Sequence, residues 1–234
     1  MEFGKPSPEF TYVGFRDDGR YEIKCSLGHE KIVVLQQQKF EVLFEIGAHA
    51  IIDGYYREAV SSFTSSLERF YEFALRVFFE NSLGSELLFE SCWKTVVSQS
   101  ERQLGAFIFL WALKFNEAPG LLSDSQTKFR NDVIHKGKIP TREEAIKYGN
   151  SVLDVLRPKI LMIRKQFCEE VSKVTFHHVR SCFSDSDNGK QIETMCVSTI
   201  LNLIFEEPSH LDSSMEEQLI RLAEQRKMLS LASA

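Results

Sequence analysis

The feature that most narrows the fold is one apolar stripe between Tyr55 and Asn81. Ala59, Phe63, Leu67, Phe70, Ala74, Val77 and Phe78 recur at steps of three and four residues, the period of one helix face and not of a strand. A stripe this long predicts a helix of many turns whose buried side must be met by other helices. Neighbouring segments supply them. Phe40, Leu43, Phe44, Gly47 and Ala48 keep the same period before a stop near Asp53-Gly54, and shorter runs predict helices over about 85–97 and 101–115. Asp124 or Ser125 can cap the next helix, which Gly137 ends. Thr141 and Glu144 then form a capping box that opens a helix reaching Phe167, with Pro158 expected to kink or divide it. Two last helices are expected over about 191–205 and 213–229. The 19 Phe residues of this 234-residue chain suit cores built between helices.

Before the first helix, Phe10 to Phe15, Tyr21 to Cys25 and Ile32 to Leu35 are rich in β-branched and aromatic residues, with a turn at Arg16-Asp17-Asp18-Gly19. The expected architecture is mainly α: a small β-meander over residues 1–36, a helical bundle over 37–171 and a C-terminal helical extension over 172–234.

Charge and cysteine content exclude several classes. A net charge of −5 rules out coating a polyanion by bulk electrostatics, so any nucleic-acid site must be local. The five cysteines, Cys25, Cys92, Cys168, Cys182 and Cys196, are odd in number, widely spaced and without a CxxC pair; reduced thiols and a cytoplasmic location are expected. No signal-like segment opens the sequence. The longest apolar run, Leu104 to Leu113, is ten residues. A bilayer needs about twenty, so a core helix is expected here and no membrane.

One segment is charged against the trend. Lys128 to Arg142 carries Lys128, Arg130, Lys136, Lys138 and Arg142 against the single acid Asp132. On a helix Asn131 and His135 share a face, while Arg130 lies about 140° from His135 at roughly 100° per residue. Arg offers phosphate a bidentate fork, and His moves protons near neutral pH. The same residues also fit a polar helix face with a cation near its C-terminus.

Arg130-Asn131-(x)3-His135 near a helix end, followed by Gly137 and a new helix, resembles the motif of HEPN domains, in which His follows Arg after four to six residues. Tyr55 to Glu72 looks like the long early helix of those bundles, and the resemblance covers about residues 37–171. It implies a bundle of four or five helices that dimerises about a two-fold axis, joining two motifs in one cleft. It further implies cleavage of RNA without metal or other cofactor. The neighbouring 2′-OH attacks phosphorus, leaving a cyclic phosphate and a 5′-OH. His135 would transfer protons, Arg130 would meet the phosphorane charge, and Asn131 would hold phosphate or imidazole. Lys128, Lys136 and Lys138 would bind the substrate backbone, and Glu68 or Glu72 would either orient His135 or pair with Arg69 and Arg76. Such domains serve as toxins or phage-defence effectors, with an antitoxin or sensor protein as a further partner. Other members are catalytically silent modules that dimerise or bind partners or nucleotides.

Elsewhere the signals are thinner. Cys25-(x)3-His29 is half a zinc knuckle without a second pair, and Cys168, His177, His178 and Cys182 match no standard metal spacing. The last helix, with Met215, Leu219, Leu222 and Leu229, fits docking on the bundle or on a partner.

Overall fold

The computed structural model describes residues 13–24, 28–183, 187, 191–203 and 213–232. Among these the order is β1 (Arg20–Lys24), β2 (Glu30–Leu35), α1 (Lys39–Ile52), α2 (Tyr56–Leu83), α3 (Glu86–Trp93), α4 (Ser100–Phe115), α5 (Asp124–Lys136), α6 (Arg142–Gln166), α7 (Cys168–Ser181), β3 (Gln191–Met195) and α8 (Met215–Ala232). The class is mainly α with one small sheet built on the N-terminal strands, as the periodicity predicts.

Helix α2 is the axis. Its 28 residues extend about 42 Å, and the predicted stripe is its buried side. Helix α1 folds back on it through a short turn at Asp53-Gly54, where Gly54 takes φ 83°. Phe40 packs on Phe70 and Phe73 at 5.4 and 5.3 Å between centroids, and Phe44 packs on Phe63 at 4.6 Å. Partner numbers fall as α1 advances, so the pair is antiparallel. The two helices meet most closely at Gly47, where an added Cβ would stand 2.6 Å from Cε1 of Phe63. Gly149 of α6 faces another edge of the same ring, with an added Cβ 3.1 Å from Cε2. Further along α2, Tyr71 meets Phe107 at 4.5 Å and Phe78 meets Phe167 at 5.6 Å. Helix α5 joins through Val133, fully buried, and through Phe129 on Tyr148 at 5.7 Å.

Several expectations need correction. Helix α4 is not a core helix all round: it buries Gln103, Phe107 and Trp111 but leaves Phe109 79% and Leu113 76% exposed, because α2 lies along one side only. Pro158 does not divide α6. It sits on the exposed side, between the buried anchors Val155, Leu156 and Ile160, so the lost hydrogen bond faces water. The break comes at Phe167 (φ −131°, ψ 37°), which separates α6 from α7.

The third strand also comes from elsewhere. Residues 13–15 are not a strand, and 10–12 lie outside the described residues. Instead β3, in a segment expected to be helical, pairs in parallel with β2 (Ile32↔Ile192, Val34↔Thr194), while β1 and β2 are antiparallel. An open edge of β2 satisfied by a segment holding Ile192 and Thr194 outweighs its weak helical period. The final helix docks on the bundle with its first turns: Met215, Leu219 and Leu222 are buried, and Met228 and Leu229 are exposed. No helix among the described residues is long and apolar enough to cross a membrane.

The link after β3 is held by carboxylates of α1. Glu41, 2% exposed, accepts the N–H of Gln38 at 2.8 Å and of Leu203 at 3.0 Å, and Glu45 accepts the N–H of Ile200 at 3.0 Å. Burial raises both carboxyls, Glu41 to about 7, against the lowering effect of those N–H donors and Arg164. A raised folded value means that the native state holds the proton longer than the unfolded chain, so this group's contribution falls as pH rises from its ordinary value of 4.5 through about 7. Glu41→Gln should flatten the stability profile in that window in urea titrations, even as its amide, facing an N–H, lowers stability overall. Gly47→Ala should lower stability by about 1–3 kcal/mol despite better helix propensity, because the added methyl overlaps the Phe63 ring; thermal unfolding measures it.

Candidate active site

The motif helix is fixed at both ends by local chemistry. Ser123, one residue before the expected caps, accepts the N–H of Gln126 at 3.4 Å. Gly137 closes the helix at φ 73°, and its N–H and that of Lys138 both point to the Asp132 carbonyl. Pro140 and the Thr141–Glu144 capping box then start α6. This corner gathers the predicted cations but also pairs most of them. Lys136 lies 2.8 Å from Asp132, whose carboxyl that hydrogen bond holds below the usual carboxylate range. Lys138 lies 2.6 Å from Glu144 and 4.9 Å above the Phe129 ring, and Arg142 pairs with Glu216 of α8 at 2.6 Å. Among the described residues Lys128 and Arg130 make no hydrogen bond or ion pair.

Arg130 and His135 face different surroundings. Val133 marks the centre of the buried side of α5. At roughly 100° per residue Arg130 is about 60° from it, while Asn131 and His135 lie about 160° away to either side. Accordingly His135 is exposed, Asn131 is half-buried, and neither makes a hydrogen bond among the described residues. Arg130 is half-buried, with Nε in the interior and without a partner. Its charge acts on the hydroxyls of Tyr71 and Tyr148, as does that of Glu68. Burial pushes both phenols up, Tyr148 to about 12, so both are neutral donors and acceptors near neutral pH.

One protomer therefore turns Arg130 towards the bundle, where its charge acts on the phenols of Tyr71 and Tyr148, and leaves His135 on the solvent side. Glu72 is not part of this group; it pairs with Arg69 at 2.5 Å and Arg76 at 3.0 Å. Those residues line a separate cavity of 410 Å³ between α1, α2, α3 and α7, floored by Phe73, Phe89 and Trp93 and containing no motif residue. Cys168, His177, His178 and Cys182 do not converge: His177 bonds Glu86, and His178 Nε2 lies 3.1 Å from the Leu35 carbonyl. No group of three or more His, Cys, Asp or Glu side chains suited to a metal occurs among the described residues, and Cys25 is not among them.

Thr64, Tyr71 and Tyr148 were not singled out by sequence reasoning. A signal existed: Thr64, Glu68 and Tyr71 stand at i, i+4 and i+7, a polar line beside the apolar stripe of α2.

A half-buried guanidinium with an unsatisfied Nε is unfavourable for stability. Arg130→Met, which keeps the length and removes the charge, should stabilise the fold by about 0.5–2 kcal/mol, the sign of a residue kept for another purpose; a lower midpoint in chemical unfolding would mark Arg130 as structural instead. No protein-family model, curated protein or solved structure matches the chain, so what it does has to be argued from these side chains.

Proposed function

We propose that this chain is a HEPN-type endoribonuclease that cleaves RNA without a metal ion, acting as a homodimer in a toxin or phage-defence setting with an antitoxin or sensor protein as partner. The observation that carries this is Arg130: a guanidinium without hydrogen bond or ion pair among the described residues, on the same short helix as an exposed His135. An unpaired Arg suits a phosphate that arrives from outside, and an exposed imidazole suits proton transfer to or from a bound substrate. Because Arg130 and His135 diverge around α5, a working site draws them from two chains, with Arg130 of one copy facing His135 of the next across a two-fold axis. Asn131, on the His135 side of α5, would hold phosphate or imidazole. Lys128 is available to the RNA backbone, and Lys136 and Lys138 would exchange their exposed carboxylate partners for phosphate, a small loss in water. The attacking group is the substrate's own 2′-OH, so DNA is not cut.

The alternative, a silent helical module that dimerises or binds a partner, draws on the same divergence: in one protomer the guanidinium turns inward and the imidazole outward. A single experiment separates the two. Incubated with total RNA, the protein should produce 2′,3′-cyclic phosphate and 5′-OH ends in excess EDTA, and leave intact any position where the 2′-OH is replaced by hydrogen. His135→Ala should abolish cleavage at unchanged thermal stability, and Arg130→Lys should fail to replace the planar fork. Mixing His135→Ala with Arg130→Ala protein should restore part of the activity if one site draws on two chains. Loss of activity in EDTA with recovery in Mg²⁺ would overturn the metal-free mechanism, and intact RNA throughout would favour the silent module.

A further inference from the structure

The cavity beside α2 joins an aromatic floor to a row of carboxylates. Phe73, Arg76 and Glu80 stand at i, i+3 and i+7, so they share one side of α2. After the turn at Gly84, where φ is 57°, α3 returns along that side. Phe89 rests on Phe79 at 5.6 Å between centroids, and Glu90 pairs with Arg76 at 2.6 Å. Helix α7 borders the same space: Lys173 reaches Glu80, and His177 bonds Glu86 of α3. The enclosed 410 Å³ suits a small organic molecule.

The lining selects for a cation. Phe89 and Trp93, one turn apart on α3, lie nearly parallel, with 5.7 Å between centroids and 16° between planes. The Arg76 guanidinium already sits 4.4 Å from the Phe89 centroid, so this floor takes positive charge on its rings. Four glutamates line the cavity, Glu72, Glu80, Glu86 and Glu90, against Lys39, Arg69 and Arg76. Their pairing is uneven. Glu72 holds both arginines and Glu90 holds Arg76, while Lys39 is drawn to Asp17, which does not line the cavity. Among the described residues Glu80 meets one cation, Lys173, at 3.5 Å. The Glu80 side chain is only 15% exposed and that of Lys173 is 55% exposed. A sheltered carboxylate with a long contact to a solvated lysine gains from a closer cation, and releasing such a lysine to water costs little. An anion would meet the four carboxylates.

We propose that this cavity binds an organic ammonium ion with an aromatic body. Its ring lies on the floor made by Phe89 and Trp93, and its ammonium group displaces Lys173 as the partner of Glu80. The site contains no motif residue and stands whether or not the protein cleaves RNA.

The test uses phenethylammonium as probe, with phenethyl alcohol and phenylpropionate as its neutral and anionic counterparts. The chain has two tryptophans, so its ¹H–¹⁵N spectrum carries two indole N–H signals. Trp93 is assigned by its loss in Trp93→Phe, and Trp111, fully buried away from the cavity, is the internal reference. Phenethylammonium should shift the Trp93 signal saturably and leave Trp111 in place; the alcohol should bind more weakly and the carboxylate not at all. Glu80→Gln, which keeps the shape and removes the charge, should weaken phenethylammonium by about tenfold, the effect of one charge-assisted contact. Lys173→Ala removes the competing cation from an exposed position and should tighten it severalfold. A Trp93 signal unmoved by phenethylammonium at millimolar concentration, equal shifts from all three probes, an unchanged affinity in Glu80→Gln or a weaker one in Lys173→Ala would each overturn the proposal.

Discussion

Everything in this bundle is spaced by the ring of Phe63. It lies against Phe44 at 4.6 Å, and the backbones of α1 and α6 approach it because Gly47 and Gly149 carry no side chain there; Met215 of α8 comes within 3.4 Å of the position a Cβ on Gly149 would take. Four helices thus meet around one aromatic residue. Close-packed interiors transmit such a constraint, since no void is available to absorb a methyl group. The antiparallel register of α1 on α2 follows from it, and with the register comes the position of the carboxylates Glu41 and Glu45 that hold the link after β3.

The candidate site inherits its geometry from the same frame. Helix α5 is short, and Val133 is its one fully buried side chain. It is therefore oriented by that anchor and by Phe129 resting on Tyr148. Tyr148 immediately precedes Gly149, whose backbone meets Phe63, and is bonded to Thr64, next to Phe63 on α2. The Tyr148 hydroxyl, on which the Arg130 charge acts, is thus close in sequence and bonding to the ring that spaces the helices. Deep polar groups here meet one another, Tyr148 with Thr64 and Thr64 with the Val60 carbonyl, while Nε1 of Trp111 and Nε of Arg130 are buried without a hydrogen-bond partner.

How much of this was legible in the sequence depends on the range of the interaction. Helices α1, α2, α4, α5, α6 and α8 follow from stripes, caps and terminal glycines, all of which act within a few residues. The motif Arg130-Asn131-(x)3-His135 was visible too, and so was its divergence, because 100° per residue is a property of any helix. The strand at Gln191–Met195 was not. Its alternating Ile192 and Thr194 compete with a weak helical period, and the deciding partner, the edge of β2, lies some 160 residues earlier in the chain.

The sequence by itself determined the helical class, the amphipathic axis of α2 and the set of cations around α5, since each rests on residue type and local period. Only the tertiary structure decided which of those cations are already paired, that Glu72 belongs with Arg69 and Arg76, and that Arg130 is half-buried with its Nε in the interior without a hydrogen-bond partner. The physical reason is burial. A charge on a helix is read from sequence, but whether water, a carboxylate or a phenol faces it depends on which other helix covers that side, and packing against distant segments sets that.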